Sequence, residues 1–256
     1  MLNLLRSEWY KLRYNRSFWL LLSVLFLAAI VYVLLNYYDD PTDGGALNET
    51  TGLDLLTEAM GGNSYIIKIG LGILAGFFIS SEYSTGTIKR GAASGHSRTA
   101  FITAKLLVFI GGSMLMALIF PLVSLLLGSA LMGVGTLPAG VTAAHFIWHS
   151  LVLTLTLSAG FAAITGAIAT LLTDSGKTIG TAVVFYFFAD GLYIVAGKYL
   201  PFIGTLYQHS IFYLINHYTD PAMSGSAFAQ AVYIPLLVAI AFIGVGIAVF
   251  IRKEIK

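Results

Sequence analysis

Cysteine is absent from this chain of 256 residues, which excludes disulfides and thiolate metal sites and leaves no trace of a redox compartment. Charge is scarce as well. Lysine and arginine number 14 and aspartate and glutamate 12, together 10% of the residues, where soluble domains carry roughly 25%. The net charge of +2 is too small to mark a nucleic-acid partner. The alternating strands of about ten residues that build outer-membrane barrels are missing. What is abundant is apolar surface: 57% of the chain is hydrophobic, and the charges gather in a few clusters instead of spreading around helices. These features point to an integral membrane protein, and an all-α one, because helices satisfy their own backbone in hydrocarbon.

A crossing helix needs about 20 mostly apolar residues. Runs at about 17–37, 62–81, 101–128, 143–172, 178–197 and 229–251 qualify, so one transmembrane domain over 1–256 with six spans is expected. The third and fourth runs exceed one crossing, and Pro121 is the expected kink in the third. The first run is long, with no small-residue cleavage site after it, so no cleavable leader is expected. GILAG at 72–76 and SAGFAAITGAIAT at 158–170 offer small residues for close helix packing, within one bundle or at a dimer seam. Lysine and arginine set the orientation. Arg6, Lys11, Arg13 and Arg16, then Lys89, Arg90, Arg98 and Lys105, then Lys177, then Arg252, Lys253 and Lys256 all fall on one side of the six-span plan. The positive-inside rule puts that side, with both termini, in the cytoplasm of a cell-membrane protein.

Two segments on the basic side stand out. In residues 1–16, Leu2, Leu5, Trp9 and Leu12 recur at helical spacing, with Arg6, Lys11 and Arg13 off the stripe. That pattern suits an amphipathic interfacial helix, either a plain anchor or one that also meets a cytoplasmic partner. The second segment, EYSTGTIKRGAASGHSR at 82–98, packs charge and glycine between two apolar runs. Ser84 or Thr85 can cap a short helix there and Gly95 can end it, which predicts a transverse helix held on two stalks.

The pattern EY–GTIK–SG–SR–AK over 82–105, with SEWYKL running into the first span, resembles permease subunits of the type-2 family of ABC exporters. The resemblance implies an N-terminal elbow helix, in which Leu5, Trp9, Lys11, Leu12 and Arg13 take part, and a cytoplasmic coupling helix. It places Glu82, Gly86, Thr87, Lys89 and Arg98 at positions that meet an ATP-binding subunit, with Glu82 and Arg98 paired across the stalks. It also implies re-entrant helices before the last span, within the aromatic-rich 198–226, with breaks at Pro201 and Pro221. Two cytoplasmic ATPase subunits and a second permease, identical or similar, are the implied partners. ATP and magnesium belong to the ATPase, and no cofactor is expected on this chain.

Other signals are weaker. DSGKTIG at 174–180 ends like a phosphate-binding loop, but the first glycine is replaced by Leu171 and no strand precedes it. A tight turn is expected there, and no enzyme site. His145 and His149 lie one helical turn apart without a third ligand, so an aromatic belt with Trp148 is preferred over metal. Lys68 and Asp190 lie inside spans at similar depth, which allows an ion pair or a shared place on a translocation path; the alternative is Lys68 reaching to the headgroups with Asp190 hydrated alone. The segment YDDPTDGGALNETTGLDLLTEAM reads as a solvated acidic loop on the outer side. Amphipathic or antimicrobial peptides are the favoured cargo, then hydrophobic drugs. An ion-coupled secondary transporter and a non-transporting scaffold or sensor are the alternatives.

Overall fold

The computed structural model describes residues 1–38, 50–88, 97–137, 141–218, 220 and 223–253, without the side chains of Asp190 and Ile194. Helix α1 (Leu2–Arg13) leads through a short turn into α2 (Arg16–Tyr38). Helix α3 (Gly52–Ala75) continues through a π-helical turn (Gly76–Ser80) into α4 (Ser81–Ser84). Then come α5 (Arg98–Met132), α6 (Ala143–Leu172), α7 (Ser175–Tyr199), α8 (Pro201–Gln208), α9 (Ile211–His217) and α10 (Gly225–Arg252). Six helical stretches are long and apolar enough to cross a membrane: α2, α3 through α4, α5, α6, α7 and α10. Each overlaps one of the expected spans. No strand occurs among the described residues.

Side-chain caps define most of the starts. Asn15 Oδ1 accepts from the amides of Ser17 and Phe18. Ser97, Thr142, Asp174, Ser210 and Ser224 do the same for α5, α6, α7, α9 and α10. Each cap satisfies an amide that has no partner inside the helix. The start of α3 corrects the sequence reading. Thr51 and Asp54 form a reciprocal capping box, and the helix begins ten residues before the apolar run 62–81. Asp54 and Glu58 dilute the hydropathy of that first stretch, yet Leu53, Leu55, Leu56, Ala59 and Met60 are all buried in it. Glu58 accepts the Tyr32 hydroxyl at 2.6 Å, so this part of the acidic segment is a helix and not a loop. Residues 39–49 of that segment lie outside the described residues. Pro121 sits inside α5, and the helix is continuous across it.

Helix α6 is the buried centre, while α2, α7 and α10 lie at the periphery with few of their residues buried. The exposed flank of α2 includes Leu20, Val24, Leu27, Val31 and Leu35. A monomer in water does not expose a continuous apolar flank of this kind, so this is a lipid-facing surface. The small-residue stretches pack inside the chain. A Cβ on Gly72 would lie 3.1 Å from Ala182, and one on Gly76 2.7 Å from Ile179, so both glycines face α7. Gly160 faces α9 and α10: its Cβ would run into the Ile211 side chain and lie 3.0 Å from the Pro235 carbonyl oxygen.

Threonines supply polar contacts between helices. Thr165 and Tyr186 share a hydrogen bond of 2.6 Å, and Ser80 and Thr178 one of 2.8 Å. The Tyr218 hydroxyl, just past α9, donates to the Met60 carbonyl at 2.7 Å and ties the short helices to α3.

The Gly160 contact is with backbone that cannot retreat, so Gly160→Ala should cost roughly 1–3 kcal/mol of stability. Gly111 has nothing within 4 Å of its Cβ position, and Gly111→Ala should be neutral or slightly stabilising. Thermal melting of the two purified variants checks the contrast.

Candidate functional site

Four ionisable side chains from α1, α4 and α5 meet at the end of the bundle that holds residues 1 and 253. Lys105, two turns into α5, is fully buried, with 0% side-chain exposure. Its Nζ donates to Glu8 Oε2 at 2.6 Å and lies 2.8 Å from Glu82 Oε2. Lys11 Nζ donates to the other Glu8 oxygen at 2.6 Å and lies 3.2 Å from Glu82 Oε1. Acid and base alternate around a closed ring whose charges sum to zero. The rings of Phe78 and Phe101 lie 4.8 and 5.9 Å from the Lys105 ammonium, and Phe101 lies 5.8 Å from that of Lys11. These contacts add cation–π attraction where water is excluded.

Burying one such ion costs several kcal/mol after relaxation, so each needs a partner of opposite sign. Lys11 shows the balance. Burial pulls its pKa down, while the hydrogen bond to Glu8 and the charge of Glu82 more than reverse this, leaving it above the usual lysine value. The ring is not symmetric. Glu8 accepts a short hydrogen bond from each ammonium, whereas the buried Oε2 of Glu82 accepts none and is held by its ion pair with Lys105, and the Lys11 contact to Glu82 Oε1 is longer, at 3.2 Å. Glu8 is therefore the fixed corner and Glu82 the loosely held one.

Local sequence explains how the corners meet. Leu4, Glu8 and Leu12 recur every four residues and form the buried face of α1. Leu12 seats on α5 at Gly112, where a Cβ would come within 2.5 Å of Leu12 Cδ2. The expected stripe is corrected accordingly: Leu12 is buried and Leu5 half-buried, but Leu2 and Trp9 are exposed, at 71% and 45%. Glu82 comes just after the π-helical turn. One extra residue in a helix rotates the succeeding turn by about 100°, which re-aims the end of the span. Arg98 is the first residue of α5 and is exposed; Lys105 stands about 10 Å further along nearly the same face. Glu82 therefore pairs with Lys105 and Lys11, and not with Arg98 as expected.

The stalk ends at Thr85 and Gly86. Gly86 takes a left-handed φ of 68°, and its amide donates to the Tyr83 carbonyl. Among the described residues no atom lies within 4 Å of its Cβ position, so the glycine answers a conformational need. Thr87 is exposed, and the next residue, Ile88, is buried. Lys89, Arg90 and Gly95 lie outside the described residues. Nearby, Lys253 donates to the Thr170 and Leu171 carbonyls at the end of α6, and its ammonium lies 5.6 Å from the Tyr83 ring. That cation neutralises the negative end of the α6 dipole.

The remaining candidates lie apart from the ring. Lys68 is buried within α3. Asp190 belongs to α7, but its side chain lies outside those described, so the pairing of the two is left as an expectation. His145 and His149 stack edge to face at 3.8 Å, and His149 lies 3.9 Å from Phe228 of α10. Among the described residues no three histidines, cysteines or acids gather. DSGKTIG forms a tight turn: Thr173 is left-handed, Asp174 caps α7, and the Ser175 hydroxyl donates to the Gly76 carbonyl at 2.8 Å. Glu8 and Lys105 were the residues missed by sequence reasoning. The signal for them was an acid at the centre of an i, i+4, i+8 leucine face, and a lysine inside an apolar run.

Six helices long and apolar enough to cross a membrane point to a multi-pass membrane protein. A family model described as "ABC-2 family transporter protein" matches residues 4–190, which include the whole ring, and the chain belongs to that family. No curated protein matches the sequence.

Removing one member of the ring leaves an uncompensated buried charge. Lys105→Met should lower stability by roughly 3–5 kcal/mol. The double variant Lys105→Met/Glu8→Gln restores neutrality and should melt above the single variant in detergent. Losses that merely add would show that the four charges do not act together.

Proposed function

We propose that this chain is the permease subunit of an ATP-driven exporter, worked by separate ATP-binding subunits at residues 82–98. The observation that carries this reading is the ring at the base of that segment. A push on the segment reaches Glu82, and Glu82 connects α4 to α1 and α5 at once. The basic end then faces the cytoplasm, α1 serves as the elbow helix, and α8 and α9 serve as the re-entrant pair at the outer face. Two permeases, identical or similar, and two ATPase copies complete the transporter, with ATP and magnesium held by the ATPases. ATP-driven closure of the ATPases favours one orientation of the permeases over the other, which is what any ligand must do to drive a conformational cycle. Amphipathic or antimicrobial peptides are the favoured cargo, followed by hydrophobic drugs. Lys68 and Asp190 are assigned to the translocation path.

The test is co-purification with a candidate ABC-type ATP-binding protein from the same organism, and peptide- or drug-stimulated ATP hydrolysis by the complex. Lys89→Glu and Arg98→Glu should each weaken capture of the ATPase several-fold, while the permease itself melts normally. Unchanged capture and unchanged stimulation in both variants would remove docking at this segment. Lys68→Ala and Asp190→Ala should each reduce transport strongly with assembly intact; normal transport in both would remove them from the path.

A further inference from the structure

A cleft of about 330 Å³ opens between α1, α2 and α5, beside the charge ring. That volume falls within the roughly 300–1,000 Å³ of small-ligand sites. Phe18, Trp19 and Leu22 of α2 and Leu115 of α5 give it apolar walls, and Trp9 and Arg13 of α1 stand on its other side. Arg13 is the charged residue of the lining and is exposed. The Trp19 indole N–H donates to the Arg13 carbonyl at 2.6 Å, so the corner between α1 and α2 is fixed and the cleft is preformed. Glu8, the one acid in residues 1–38, is buried in the ring, while Arg6 and Arg16 are exposed like Arg13. Among the described residues no ion pair involves these arginines, so this corner presents positive charge beside an apolar slot, on the flank where α2 exposes Leu20 and Val24 to lipid.

We propose that the cleft binds one anionic phospholipid. Its phosphate sits on the Arg13 guanidinium, whose planar fork matches phosphate oxygens. An acyl chain fills the slot along Phe18, Leu22 and Leu115, and the two tryptophans bracket the headgroup level where such rings are favoured. A lipid in this place packs between α1 and the walls given by α2 and α5. Leu12, which reaches Gly112 of α5, also borders the cleft, and Glu8 lies one turn before it. The occupant thus supports the fixed corner of the ring.

The chain has 3 tryptophans, so Trp148→Phe leaves Trp9 and Trp19 as the only indole reporters, both at the cleft. The full-length Trp148→Phe protein is placed in phosphatidylcholine vesicles. Brominated phosphatidylglycerol or brominated phosphatidylcholine is then added at equal mole fraction. Quenching should favour phosphatidylglycerol by about fivefold, the effect of one arginine at an anionic headgroup. Arg13→Gln should bring the two lipids close to parity, Arg13→Lys should retain part of the preference, and Arg6→Gln should leave it in place. Equal quenching in the parent protein overturns the proposal, as does a preference that survives Arg13→Gln. An equal loss in Arg6→Gln and Arg13→Gln also overturns it, because that marks diffuse attraction to a basic surface.

Discussion

An ammonium group buried inside a helical bundle has to be neutralised, and the Lys105 ammonium has no exposed surface at all. Its two carboxylate neighbours come from segments far apart in the chain, Glu8 before the first span and Glu82 at the end of the second. Lys11 cancels the charge left over. The cost of leaving any one of these ions unpaired is high enough to hold α1, α4 and α5 in one arrangement. Hydrophobic packing alone gives no such registration inside a membrane, since lipid tails are as apolar as leucine.

The rest of this end of the bundle is consistent with that constraint. Leu12 closes onto Gly112, Phe250 lies 6.1 Å from Phe101 and 6.4 Å from Tyr83, and Lys253 caps α6. The terminal segments are thereby tied to the helices between them. The π-helical turn at Gly76–Ser80 matters in the same way: it ends just before Ser81 and sets the direction in which Glu82 leaves the span. The opposite end is held by different means. There the amides of Gly52 and Leu53 donate to the carbonyls of Gly133 and Val134, and Tyr218 reaches Met60.

The crossing helices were legible because each needs a long apolar run, and nothing else in the chain looks like one. The start of α3 was not, since Asp54 and Glu58 lower the hydropathy of a stretch whose leucines nonetheless keep helical spacing. The site was legible in part. Glu82 stood out as a charge at the mouth of a loop, but its partners did not, because sequence proximity favoured Arg98 and two helical turns carry the chain on to Lys105. Glu8 was hidden for a different reason. A hydrophobic stripe drawn through Leu2, Leu5, Trp9 and Leu12 passes beside the true buried face, and only the position of Gly112 on another helix decides between the two.

The Glu82–Lys105 contact lies on the membrane side of the connecting segment and already fixes the spacing of the two stalks. That spacing therefore does not rest on the exposed Thr87 and Ser97. Exposed positions of this kind can change side chain while the embedded body keeps its geometry.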